Sequence, residues 1–138
     1  MIDFNYETDF KIENEVQTKN WLAHCIEIYG FSEGEINYVF CDDDYLLKLN
    51  VEFLNHDTLT DIISFDYTMG KLVNGDIFIS VERVRENAKI FDQTVDNELN
   101  RVMIHGLLHY MGFKDKIMAD KAIMRAEEEK CLALFKAS

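Results

Sequence analysis

His105, His109 and Asp115 are the residues whose types and spacing could do chemistry, in the run His105-Gly106-Leu107-Leu108-His109-Tyr110-Met111-Gly112-Phe113-Lys114-Asp115. Residues four apart on an α-helix are offset by about 40° and one turn of rise, so the two imidazoles can converge on one ion. Gly112 can take the left-handed conformation that ends a helix, turning the chain back so that Asp115 approaches the same ion. Three protein ligands leave a position open for water, as in catalytic rather than structural zinc sites. A histidine pair at this spacing is more often packing or surface in an arbitrary protein. Here Leu99, Val102, Met103, Ile104, Leu107 and Leu108 predict a buried helix, in which two imidazoles need partners for their ring nitrogens.

A metallopeptidase helix carries its glutamate base directly after the first histidine, and that position is Gly106. The wider spacing His-x-x-x-His-x-x-Gly-x-x-Asp looks like the metzincin pattern with an acidic third ligand. The missing glutamate and the different downstream flank argue against peptide hydrolysis. The residues by themselves give a metal-assisted hydrolase of unstated substrate.

The elements that must position these residues are predicted by periodicity and caps. Ile2 to Tyr6 alternates like a strand, and Phe10 to Tyr29 carries a helical stripe through Ile12, Val16, Leu22 and Ile26, ended near Gly30. Ile36 to Phe40 reads as a second strand. Asp42 to Asp44 supply a helix start for Tyr45 to Leu49, a cap rather than a metal cluster. Asp61 to Tyr67 and Leu72 to Ser80 read as two more strands, with Met69-Gly70 and Asn74-Gly75 as turn signals. Ser80 then caps a helix through Val84, Ala88 and Ile90, followed by the histidine helix from about Asp96 and a last helix from about Met118 to Phe135. The expectation is an α+β domain over residues 1–138, a small mixed four-stranded sheet packed with about five helices, the metal-site helix lying near the C-terminus.

The chain has 138 residues, 48% of them hydrophobic, no proline and six glycines, so one core-forming domain without a linker is expected. No basic, apolar leader opens the chain and no membrane span follows, which predicts a soluble, cytoplasmic protein. Cys25, Cys41 and Cys131 are far apart and odd in number, so they read as reduced small hydrophobes without a disulfide. The net charge of -12 would count against a nucleic-acid partner, but it is unevenly spread. Residues 1–70 hold 15 acidic and 3 basic side chains, whereas residues 71–138 hold 11 of each, so a polyanion would approach through the histidine-bearing half.

Several segments together resemble the YbeY family of rRNA maturation factors in order and spacing: Leu49-Asn50, Asp57, Thr60-Asp61-Ile62-Ile63-Ser64-Phe65, Gly75-Asp76-Ile77, Glu98-Leu99 and His105-Gly106-x-Leu108-His109-x-x-Gly112. The resemblance spans about residues 45–135. It implies a single-domain, zinc-dependent endoribonuclease acting on single-stranded RNA in small-subunit rRNA 3′-end maturation and ribosome quality control. Its implied partners are rRNA, the small ribosomal subunit and assembly factors, with one Zn2+ per chain or another divalent metal in its place. Two departures stand out. The family usually ends its motif in histidine where this chain has Asp115, and carboxylate oxygen is an acceptable zinc ligand. The family typically has an arginine where this chain has Leu54, in Phe53-Leu54-Asn55-His56-Asp57, and leucine cannot recognise phosphate.

The mechanism expected is hydrolysis of an RNA phosphodiester by a metal-bound water, with attack by the RNA's own 2′-hydroxyl as the other route. Asp61, Asp76 and His56 are the candidate catalytic groups. Glu98, seven residues before His105 and on the same helical face, reads as a group that orients a ligand. Lys114, Lys116 and Arg101 are candidate RNA contacts, with Arg83, Arg85 and Lys89 along the approach. Tyr110 and Phe113 could stack on bases, but core packing is the default for both. The run Glu127-Glu128-Glu129 reads as the solvated face of the last helix. The competing classes are an assembly factor whose zinc is structural and a metallopeptidase.

Overall fold

A computed structural model describes residues 1–54 and 60–137. The chain runs β1 (Ile2–Tyr6), α1 (Glu15–Ile28), β2 (Ser32–Cys41), α2 (Asp43–Leu54), β3 (Ile62–Asp66), β4 (Leu72–Ser80), α3 (Val81–Ile90), α4 (Val95–Tyr110) and α5 (Met118–Ala137). The four strands form one mixed sheet in the order β1-β2-β4-β3. β1, β2 and β4 are parallel, and β3 runs antiparallel to β4 with Ser64 opposite Ile77.

Side chains alternate between the two faces of this sheet, and each face buries a different set. One carries Ile36, Tyr38, Ile77 and Ile79 into the main core with Leu22 and Ile26 of α1, Met103, Ile104, Leu107 and Leu108 of α4, and Leu132 of α5. The opposite face carries Cys41 and Ile63, which pack with Leu46 of α2 and with Leu49, Phe65 and Phe78. Polar anchors tie the layers together: the buried Tyr38 hydroxyl donates to the carbonyl of Met103 at 2.9 Å, and Trp21 Nε1 donates to the carbonyl of Cys131 at 2.7 Å. Gly75 lets α4 approach the sheet, because a Cβ there would stand 2.4 Å from the Tyr110 ring.

The caps fall where side-chain chemistry puts them. Asp42 Oδ1 accepts from the amide of Tyr45 at 2.9 Å, and Ser80 Oγ accepts from the amide of Arg83 at 3.2 Å. Two expectations need correction. Helix α1 begins at Glu15 rather than Phe10, because Tyr6 and Phe10 pack with Phe40 and the Tyr6 hydroxyl donates to Glu15 and accepts from the amide of Ile12. Asn74-Gly75 lies inside β4, whose chain reversal is made at Met69-Gly70.

Candidate metal centre

Helix α4 owes its 16 residues to an N-cap and a defined stop. Thr94 Oγ1 accepts from the amide of Asn97 at 3.0 Å, and Gly112, with φ of 100°, ends the helix. The amide of Phe113 bonds the carbonyl of Leu108 at 3.0 Å and that of Gly112 bonds the carbonyl of His109 at 3.1 Å, the paired closure of a Schellman turn. That turn aims the Phe113 carbonyl back at the His109 ring, whose Nδ1 lies 2.9 Å away. It also brings Asp115 beside both imidazoles.

The three facing atoms form a nearly equilateral triangle. His105 Nε2 and His109 Nε2 are 3.0 Å apart, and Asp115 Oδ2 lies 3.2 Å from the first and 3.3 Å from the second. Donor atoms held about 2.0–2.1 Å from a tetrahedral ion stand about 3.3 Å from one another, so the triangle has the size of one face of such a shell. The tautomers fit as well. A carbonyl can only accept, so His109 Nδ1 carries its hydrogen toward Phe113, and His105 Nδ1 turns its own toward a Glu128 oxygen 2.6 Å away. In the neutral rings both Nε2 lone pairs then point into the same small space. Two lone pairs and a carboxylate oxygen at these separations repel unless a cation lies among them.

Around the triad, the carboxylate network differs from the expectation. Glu128 was expected on the solvated face of the last helix, yet its side chain is 2% exposed and meets His105. Glu98 is buried too, but it holds Arg101 rather than a histidine: its two oxygens accept from Arg101 Nε at 2.9 Å and Nη2 at 2.6 Å. Arg101 reaches on to Glu128 Oε1 at 3.2 Å, so this expected RNA contact is enclosed between two carboxylates. Burial would raise the Glu128 carboxyl, but the His105 hydrogen bond and the Arg101 charge outweigh it and hold the group below its ordinary value.

Of the candidate catalytic groups, Asp61 lies beside this network. Burial raises its carboxyl above its ordinary value, against the opposing pull of Arg101 and His105, and Glu98 adds to the rise. Asn87 Nδ2 stands 3.5 Å from its Oδ2. Asp76 is on the other face of the sheet: Gly75 and Ile77 face α4, so Asp76 between them points away and takes a bond from Asn37 at 3.2 Å. That corrects its expected place at the site. His56 lies outside the described residues.

Lys114 and Lys116 are exposed on the triad's own turn, and neither makes an ion pair among the described residues. Arg83 pairs with Asp43, Lys89 with Glu86, and Arg85 lies over the Phe10 ring, none of these partners being a triad residue. Tyr110 and Phe113 are packing residues: the Tyr110 hydroxyl lies 3.0 Å from the carbonyls of Phe65 and Asp76, and Phe113 meets Tyr29 edge-on.

A groove of about 590 Å³ opens beside the triad, walled by Leu54 of α2, by Thr60 and Ser64 at β3, and by Asp115 and Lys116. A larger depression of about 1030 Å³ lies along α1, lined by Ile12, Val16 and Trp21 among others, and shares no residue with the triad. Convergent ligand atoms, not volume, mark the groove as the chemical site.

The family profile described as Endoribonuclease YbeY matches residues 2–136. The chain belongs to the YbeY family. A Flavobacterium johnsoniae protein named Endoribonuclease YbeY is 58% identical over 135 residues, covering 98% of this chain and 97% of its own. One of the same name from Porphyromonas gingivalis is 52% identical over 116 residues, 84% of this chain and 77% of its own. The solution structure of TM1509 from Thermotoga maritima superposes with a TM-score of 0.73 at 28% identity, covering 98% of this chain and 89% of that one. The YbeY resemblance thus extends beyond the motif segments to the first strand and the last helix.

Proposed function

We propose that this YbeY-family protein is a metal-dependent endoribonuclease that cuts single-stranded RNA in the maturation of small-subunit rRNA. His105, His109 and Asp115 hold one divalent ion, zinc in our reading, since two imidazoles and one carboxylate at a tetrahedral spacing suit it. The observation that carries the proposal is the triangle of facing atoms with both Nδ1 hydrogens already committed elsewhere. The relatives named Endoribonuclease YbeY give the class of reaction.

An ion held by His105, His109 and Asp115 would supply Lewis acidity toward a water and a phosphate group. The remaining work falls to the chain. Asp61, the candidate carboxylate within the electrostatic reach of Arg101 and His105, takes the proton. Lys114 and Lys116, exposed on the triad turn, meet phosphates on either side of the cut. The groove beside Ser64 and Leu54 takes the strand.

Among the described residues no helix is long and apolar enough to cross a membrane, and Cys25, Cys41 and Cys131 are buried and unbridged. An assay with RNA carrying a small-subunit rRNA 3′ end, offered single-stranded and as a duplex, tests the proposal. Cleavage of the single strand, lost in Asp61→Asn and His109→Ala, is expected; equal cleavage by the His109→Ala protein would contradict it.

A further inference from the structure

The imidazoles of the triad are held in two different ways. His109 leans on a backbone carbonyl, whereas His105 leans on a carboxylate from another helix, Glu128 of α5. Glu128 is itself fixed. Its second oxygen lies 3.2 Å from Arg101 Nη1, and Arg101 is clamped by both oxygens of Glu98. All three side chains are withdrawn from solvent, with exposures of 2% for Glu98 and Glu128 and 15% for Arg101.

The formal charges of this unit do not cancel. One guanidinium serves two carboxylates, and Asp115 adds a third acid on the far side of the histidines. The four charged groups together carry two negative charges more than positive: Glu98, Arg101 and Glu128 leave one excess carboxylate charge where burial makes it costly, and Asp115, 38% exposed, adds the other. A dication among the Nε2 atoms and Asp115 Oδ2 removes it.

We infer that Glu128, held by Arg101 and Glu98, positions His105 for metal binding and strengthens it as a donor. This rests on the proposed metal at the triad. A carboxylate on the remote nitrogen draws the Nδ1 hydrogen toward itself and leaves more electron density at Nε2, while its rigid support fixes the ring plane. Glu128 is a positioning residue, since it touches His105 and not the ion's space. The two imidazoles are therefore unequal ligands, and helix α5 controls the stronger one.

The test is zinc affinity of the full chain, measured by competition with a chromophoric chelator, together with the visible spectrum of the cobalt-substituted protein. Glu128→Gln keeps an acceptor of the same length but removes the charge, and it is expected to weaken zinc binding about 10–100-fold and to shift the cobalt bands. Glu128→Asp keeps the charge but draws it back by one methylene, and an intermediate loss is expected. Leu132→Ala, a core change on the same helix, lowers the unfolding temperature but is expected to leave zinc affinity within about twofold, a far smaller change than that expected of an orienting carboxylate. Zinc affinity of folded Glu128→Gln and Glu128→Asp within the same margin of wild type would overturn the inference. Failure of the wild-type protein to take zinc at all would overturn the metal reading, and this inference with it.

Discussion

The Nδ1 atom of His109 lies 2.9 Å from the carbonyl oxygen of Phe113, so the turn that ends helix α4 also orients one of its histidines. The link depends on Gly112, whose φ of 100° is unfavourable for any residue with a Cβ. A Cβ at Gly112 would meet nothing within 4 Å, so the cost of Gly112→Ala is backbone strain alone. Gly112→Ala is expected to lose about 1 kcal/mol of stability and to weaken metal binding as the Phe113 carbonyl moves. Urea unfolding and chelator competition would measure the two losses separately. Asparagine, which tolerates positive φ better, should recover part of both.

Asp61 should show a trade between activity and stability. Its folded-state carboxyl is raised by burial, so the ionised form is penalised only when the protein is folded. Below the unfolded-state pKa both states hold the proton and the penalty is absent. It grows as the pH rises through the raised folded value, and above that it is complete. Asp61→Asn is therefore expected to unfold at a higher temperature than wild type at neutral pH, with the difference vanishing in acid. RNA cleavage should fall about 10²–10⁴-fold, the range for loss of a general base. Thermal melts across pH, beside single-turnover cleavage, check both; a variant that is both active and unchanged in stability would count against the assignment.

Leu54 is 45% exposed at the end of α2 and lines the groove with Asp115 and Lys116. A longer side chain has room there. Leu54→Arg is expected to tighten single-stranded RNA binding and to steepen its salt dependence, by about 0.7 in log-log slope for each phosphate gained. Binding isotherms at several salt concentrations give that slope directly. An unchanged slope would place position 54 away from the RNA track.

At position 115, ligand chemistry rather than charge should decide function. Asp115→His is expected to keep zinc and cleavage, because imidazole fills the same coordination position, whereas Asp115→Ala should lose both. Chelator should lower the melting temperature of the wild type and of Asp115→His, but not of Asp115→Ala. Calorimetry with and without chelator distinguishes the three.

Much of this site is legible in the sequence because its signals are local. The i, i+4 histidines, the glycine stop and the aspartate three residues beyond it all sit within a dozen residues, and α4 folds as that spacing requires. Asp76 is misread because its neighbours, not its own type, decide which face of β4 it takes; alternation with the buried Ile77 and Ile79 carries that information. Arg101 follows Glu98 by three residues, a helical pairing distance that points to a partner inside the protein. Glu128 is hidden by the acidic run around it. Its spacing from Met124, Cys131 and Leu132, all buried, nonetheless puts it on the inner face of α5. What no local pattern contains is the meeting of α4 with α5, which brings residues 105 and 128 together across 23 positions.

The most direct test of the account is to add zinc in steps to metal-free protein and follow single-stranded RNA cleavage and bound metal in the same samples. The rate should climb in proportion to bound zinc and level off at about one ion per chain, the stoichiometry of a single three-ligand catalytic site. His109→Ala should bind none and cleave nothing. Cleavage that persists at full rate in metal-free wild type, or one bound zinc with no cleavage, would contradict it.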